Sequence, residues 1–253
     1  MVLDKGLGLN AVDDLILHSK YFNTVKLGWG TSLLYDYDVF RVKVEKYQSA
    51  GIEVCTGGTL FEHALQNDAV SDMCDYVKLA GIKTVEVSNG SIHIPTKRKH
   101  AMIKGFINDD FHVYSEIGCK TSDYDWRGNI EYLIDESKSD LDAGAKKVIV
   151  EARESGNSGI YTNEGELAPF MDMLVNEVGL DNLIFEAPQK RQQTNLIKKY
   201  GESVNIGNIK PEDVLSVASL RYGLRSDTLG IISHSYATFF AVQIRGHLHT
   251  SVT

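Results

Sequence analysis

Short apolar runs recur along the chain, each followed by a stretch with helical spacing. The runs are MVLD at 1–4, TVKLG at 24–28, IEVCT at 52–56 and KTVEVS at 83–88, then HVYSEIG at 112–118, KVIVEA at 147–152, NLIFEA at 182–187 and SVNIGN at 203–208. Between them, Val39–Ser49, Lys97–Asn108, Asn129–Ala143 and Gln189–Tyr200 carry apolar residues at helical period. Gly51, Gly81, Gly144, Gly179 and Gly201 fall just past such segments, where a left-handed residue closes a helix. Pro211 falls where a first-turn proline belongs. Strict alternation of strand and helix implies parallel pairing. Eight such units predict a single (β/α)8 TIM-type barrel over residues 1–229, with a doubly wound open sheet as the alternative. Residues 230–253 form a short C-terminal extension of unknown structure.

Residues two apart on a strand face the same way, so each run also predicts which side chains enter the barrel. In KVIVEA, Val148 and Val150 share the face that meets the helices, while Ile149, Glu151 and Arg153 share the inward face. Val85 and Val87 flank Glu86, Leu183 and Phe185 flank Glu186, and Val25 and Leu27 flank Lys26. Glu116 follows Tyr114 by two, and Asp4 and Lys5 close the first strand. The ionisable residues stand near the carboxyl ends of their strands, the end at which barrel enzymes react. Charges crowded there are costly without partners or a ligand, so the set points to an anion- and metal-binding mouth. A salt-bridged rim is the plainer reading for any one of them.

Composition narrows the partners. The net charge of −8 disfavours nucleic acid and anionic membrane but not small anions held by local clusters. The three cysteines, Cys55, Cys74 and Cys119, have no C-x-x-C spacing, which points to a reduced, cytoplasmic setting. No segment reaches the ~18 apolar residues of a membrane span, and MVLDKG lacks the features of a signal peptide.

Three further patterns invite a functional reading. GLGLNA at 6–11 matches a dinucleotide fingerprint, but the second strand ends in Lys26, Gly28 and Trp29 rather than the acidic residue a ribose requires, so tight-turn glycines are the better reading. GWGTS at 28–32 and TGGTLFE at 56–62 are loops whose backbone N–H groups could meet anions. His18, His63, His93, His100 and His112 are scattered, as packing or surface residues are, and Cys119 has no histidine nearby in sequence to activate it.

The segments VKLGWGTSLL, GGTLFE, VEVSNGS, SEIGCK, VIVEARESG, LIFEAPQK and LRYGLRSDT closely resemble the phosphosulfolactate synthase family, in order, from about residue 1 to residue 229. The resemblance implies a (β/α)8 fold and addition of sulfite to phosphoenolpyruvate, giving (R)-2-phospho-3-sulfolactate, with Mg2+. In that family the product leads to coenzyme M in archaea and to sulfolactate in some bacteria. By resemblance, Lys120 in SEIGCK is the catalytic proton donor. Glu86, Glu116, Glu151 and Glu186 become candidate metal ligands, directly or through water, although Mg2+ takes only one or two carboxylates. Lys26 and Arg153 suit phosphate or sulfite, Arg153 through its planar fork. The expected partners are phosphoenolpyruvate and sulfite, with no nucleic acid or membrane, in a homo-oligomer. Cys119 and Asn89 depart from relatives that carry Lys or Ser, and Asp, at those places. A non-catalytic barrel resembling a plant heat-stress protein is the alternative, and a Schiff-base aldolase using Lys120 is a third reading, disfavoured because Lys120 falls past Gly118.

Overall fold

The computed structural model describes residues 1–118, 130–151, 160–161 and 166–232. Eight parallel strands pair in chain order: β1 (Val2–Asp4), β2 (Thr24–Leu27), β3 (Glu53–Thr56), β4 (Thr84–Val87), β5 (His112–Ile117), β6 (Lys147–Val150), β7 (Leu183–Glu186) and β8 (Ile206–Gly207). A parallel bridge between Val2 and Ile209 closes the circle, and the Leu3 N–H donates to the Ile209 carbonyl at 2.8 Å. This excludes the open-sheet alternative, which leaves two free edges.

Helices α1 (Leu9–Ile16), α2 (Tyr37–Ser49), α3 (Gly58–Gln66), α4 (Val70–Leu79), α5 (Thr96–Asn108), α6 (Ile130–Asp142), α7 (Met171–Val178), α8 (Lys190–Tyr200) and α9 (Val214–Arg221) fill the connections. Their boundaries follow local chemistry. Asp36 caps α2 by accepting from the Asp38 N–H at 3.0 Å, and Gln189 and Gln192 form a reciprocal capping box on α8. Gly179 and Gly201 close α7 and α8 at φ +88° and +90°.

The alternation within each strand divides the core as its sequence predicts. Val85, Val87, Val148, Val150, Leu183 and Phe185 pack outward against helices. Cys55, Tyr114, Ile149 and Ile184 form a separate interior cluster with Met1 against it. That interior layer blocks the bore, so the barrel is a packed core and not a channel.

The first strand contains one departure. Asp4 does not enter the barrel mouth. Its Oδ1 accepts from the N–H groups of Gly6 and Leu7 at 2.9 and 2.8 Å, and its Oδ2 meets Lys43 at 2.7 Å and the Tyr47 hydroxyl at 2.8 Å, both from α2. Strand parity explains this: Asp4 shares a face with Val2, which packs outward. The same contacts explain GLGLNA, since two of the N–H groups in its turn are spent on the protein's own carboxylate.

Candidate active site

At the carboxyl end of the barrel, carboxylates from four strands meet in a space with almost no solvent. Glu86, Glu116, Glu151 and Glu186 leave β4, β5, β6 and β7 (Glu151 immediately follows β6), and all are buried. One carboxylate oxygen from each of Glu116, Glu151 and Glu186 lies within 4.8 Å of the other two. Three buried carboxylates at that spacing repel one another unless protons or a cation intervene. Their hard oxygen donors fit a Mg2+ that keeps waters in its remaining positions.

Glu86 is engaged differently. Its Oε1 accepts the Gly58 N–H at 2.9 Å, and its Oε2 lies 3.1 Å from Lys26 Nζ. That Oε2 contact is an ion pair by distance but lacks hydrogen-bond geometry. Lys26 Nζ donates instead to Glu186 Oε1 at 2.8 Å. Burial pushes the Glu86 carboxyl up to about 8; Lys26 opposes the shift, whereas Glu116 and Glu186 add to it. Burial works to lower the Lys26 ammonium, but Glu186, Glu86 and Glu116 outweigh it and hold it well above the ordinary lysine range. Lys26 is therefore a charged strut between β2, β4 and β7.

The loop TGGTLFE shows why its glycines are there. A Cβ on Gly57 would stand 2.6 Å from the Leu27 carbonyl oxygen, and one on Gly58 would stand 2.5 Å from both Glu86 Oε1 and Ser88 Cβ. The Gly58 N–H is thus aimed at a side chain of the site itself. In GWGTS, the Gly28 N–H donates to the Asp4 carbonyl at 2.7 Å, and Trp29 adopts φ +53°.

Several contributors lie outside the set of candidate site residues, although Ser88 shares the inward face of Glu86. Ser88, in line with Glu86, donates to Glu116 Oε1 at 2.7 Å and lies 3.1 Å from Glu62 Oε1. Glu62 comes from α3, is buried, and also accepts the Ser91 N–H at 2.8 Å; its Oε2 has no hydrogen-bond partner among the described residues. Its place behind the Gly-Gly turn was visible, but helical residues do not follow the two-residue rule that picked out the others. Lys99 on α5 donates to the Glu116 carbonyl at 2.9 Å and pairs with Asp140 at 2.7 Å and Glu136 at 3.1 Å. Asn89 donates to Glu136 Oε1 at 3.3 Å, so its side chain serves that buried network.

Residues 1–227 match the family model described as (2R)-phospho-3-sulfolactate synthase (ComA). The chain belongs to that family. A phosphosulfolactate synthase from Methanothermobacter thermautotrophicus is 40% identical over 236 residues, covering 92% of each chain. One from Methanocaldococcus jannaschii is 41% identical, covering 91% of this chain and 93% of the relative. The plant Protein HEAT-STRESS-ASSOCIATED 32 from Arabidopsis thaliana is far more distant, at 21% identity over 87% of this chain and 83% of its own. Membership in an enzyme family, at about twice the identity shared with the plant protein, does not favour the non-catalytic alternative. Among solved structures, a phosphonopyruvate hydrolase complexed with oxalate and Mg2+ superposes with a TM-score of 0.53 over 98% of this chain and 91% of its own. At 10% identity that likeness is one of fold alone.

Against the residues expected for a phosphosulfolactate synthase family site, the structure brings Lys26, Glu86, Glu116, Glu151 and Glu186 together. Lys120, Arg153 and Cys119 lie outside the described residues. No helix among the described residues is long and apolar enough to cross a membrane.

Proposed function

We propose that this chain adds sulfite to phosphoenolpyruvate, giving (2R)-phospho-3-sulfolactate, with Mg2+ held by Glu116, Glu151 and Glu186 directly or through water. The observation that carries this reading is the buried carboxylate triple at the catalytic end of a family member's barrel. When bound, Mg2+ supplies Lewis-acid stabilisation of negative charge building on the substrate carboxylate.

The remaining work falls to the chain's own groups. Sulfite attacks the methylene carbon, and the carbon bearing the phosphate then needs a proton, which Lys120 Nζ delivers in this reading. Arg153 holds a substrate oxyanion through its two-pronged guanidinium. Lys26 adds positive charge from within the carboxylate cluster while fixing Glu86 and Glu186. Glu86 takes no place in the metal-ready triple; with its carboxyl raised to about 8, it serves to hold a proton beside Glu116. Free, buried Cys55 and Cys74 suit the reducing cytoplasm in which we place the reaction.

Glu151→Gln tests the metal assignment. It removes one ligand charge while keeping shape, so the Mg2+ concentration for half-maximal product formation should rise about tenfold or more, the scale for losing a group that tunes a metal site. An unchanged Mg2+ requirement contradicts the assignment.

A further inference from the structure

The loop TGGTLFE ends on Glu62, a residue with no part in the function assigned above. Its placement follows from the glycines before it. Gly58 and Glu62 stand four apart on α3, one helical turn, and so share a face. The Gly58 N–H donates to Glu86 Oε1 at 2.9 Å, which turns that face towards the carboxylate cluster. Glu62 therefore approaches the site from behind, on a helix rather than a strand.

The balance of charge sets Glu62 apart. Other buried carboxylates have a lysine: Asp4 has Lys43, Glu136 and Asp140 share Lys99, and Glu86 and Glu186 share Lys26. Glu62 is only 2% exposed, and no described lysine or arginine forms an ion pair with it. Its Oε1 accepts the Ser91 N–H at 2.8 Å, and its Oε2 is buried with no hydrogen-bond partner among the described residues. A carboxylate oxygen is an acceptor, so what it lacks is a donor or a cation, and leaving it bare is costly.

Ser88 joins this group to the metal-ready triple. Its hydroxyl lies 2.7 Å from Glu116 Oε1 and 3.1 Å from Glu62 Oε1, and its oxygen accepts the Gly90 N–H at 3.1 Å. A hydroxyl has one proton to donate, so it serves only one of the two carboxylates at a time. The shorter contact gives that proton to Glu116 and leaves Glu62 in need of a donor from elsewhere. Glu62 stands outside the three carboxylates whose oxygens lie within 4.8 Å of one another, so it reaches an ion held there through water and not as a ligand. Mg2+ keeps several of its waters, and those waters are donors.

We propose that Glu62 completes the cation site as a positioning residue, accepting a hydrogen bond from water carried by the ion while Ser88 fixes the rotation of Glu116. The inference rests on the reading of the triple as a Mg2+ site. It also gives the Gly-Gly turn a second purpose: by letting α3 start against Glu86 and Ser88, the turn brings a fourth carboxylate to the ion.

Mg2+ binding to the metal-free protein, followed by calorimetry, is the test, together with thermal melts in chelator. Glu62→Gln keeps the shape and an oxygen for the Ser91 N–H but removes the charge. It should weaken Mg2+ binding about tenfold or more, the scale for losing an outer partner of a metal ligand. Ser88→Ala, which removes the link to Glu116, should weaken binding to a similar extent. In chelator, Glu62→Gln should melt at or above the wild-type temperature, because it removes a buried charge that has no counter-ion. A carboxylate with a purely structural role would give the opposite shift. Mg2+ affinity within about twofold of wild type in either variant overturns the proposal. Weaker binding by Glu62→Gln accompanied by a lower melting temperature in chelator marks a general structural loss and also overturns it. Glu151→Gln is the reference. Weakened binding there with wild-type affinity in Glu62→Gln removes Glu62 alone, whereas no Mg2+ binding by the wild type removes the triple as a metal site and this proposal with it.

Discussion

The ammonium of Lys26 on β2 lies 2.8 Å from the carboxylate of Glu186 on β7, a hydrogen-bonded ion pair that crosses the interior of the barrel with both side chains almost wholly buried. In chain order these residues are 160 apart, so the contact is made by the fold and not by neighbouring chain. The pair joins one end of the carboxylate cluster to the opposite wall. Removing the lysine leaves the buried Glu186 carboxylate without its cation and takes the ammonium away from the Glu86 carboxyl 3.1 Å off. Lys26→Met should therefore lower stability by about 3–5 kcal/mol at neutral pH, the cost of breaking a buried pair from one side. Urea unfolding measures it, and a loss below about 1 kcal/mol would show that the pair is not a strut.

Gly58→Ala tests the close approach of the third loop to Glu86. The added methyl has nowhere to go, because one of its neighbours at 2.5 Å is Ser88 Cβ, which cannot swing aside as a carboxylate tip can. Overpacking of this kind costs roughly 1–3 kcal/mol. It also displaces Ser88 from Glu116, so kcat should fall together with the melting temperature. A variant with wild-type stability and turnover would contradict the geometry of the loop.

The raised Glu86 carboxyl sets a pH dependence whose sign is definite. Its folded value, about 8, stands above its ordinary value of 4.5. The folded state therefore binds a proton that the unfolded state releases, and its stability advantage is fully present below about 4.5 and lost as pH rises through about 8. Metal-free protein should melt at progressively lower temperature between those values, and Glu86→Gln, which cannot ionise, should flatten that part of the profile. Thermal melts in chelator across this window check the prediction. An identical slope in wild type and variant would remove Glu86 as the titrating group.

The fold was legible in the sequence to a degree that the site was not. Eight strands were readable because a parallel strand buried on both faces must be a short apolar run between helices, as KVIV and LIFE are. The two-residue rule also placed Glu86, Glu116, Glu151 and Glu186 in one interior. It says nothing about which of them meet, because that depends on register across strands and on packing behind them. Hence Glu86 went undistinguished from the metal-ready three, and Lys26 looked like a ligand for anions before its two carboxylate partners were visible. Asp4 was misleading for the same reason: a charge at a strand end marks the mouth only if its parity is inward. Glu62 and Lys99 sit on helices, where the pattern that identifies a strand's inward face does not operate.

Lys120 carries the proposed protonation. Lys120→Ala should lower kcat by roughly 100-fold or more, the usual scale for a positioned acid, while leaving the unfolding transition close to that of the wild type. Turnover at the wild-type rate would exclude it as the obligatory donor. Borohydride treatment with a carbonyl substrate should leave the protein unmodified, since the reaction proposed here passes through no Schiff base.

The most direct measurement is phosphorus-31 NMR of phosphoenolpyruvate incubated with the protein, with sulfite and Mg2+ each present or withheld. The account predicts that the phosphoenolpyruvate resonance is replaced by that of a saturated phosphate ester only when protein, sulfite and Mg2+ are all present, and that Glu151→Gln shifts the Mg2+ dependence upward. Persistence of the phosphoenolpyruvate signal in the complete mixture, or its loss at the same rate without sulfite, would contradict it.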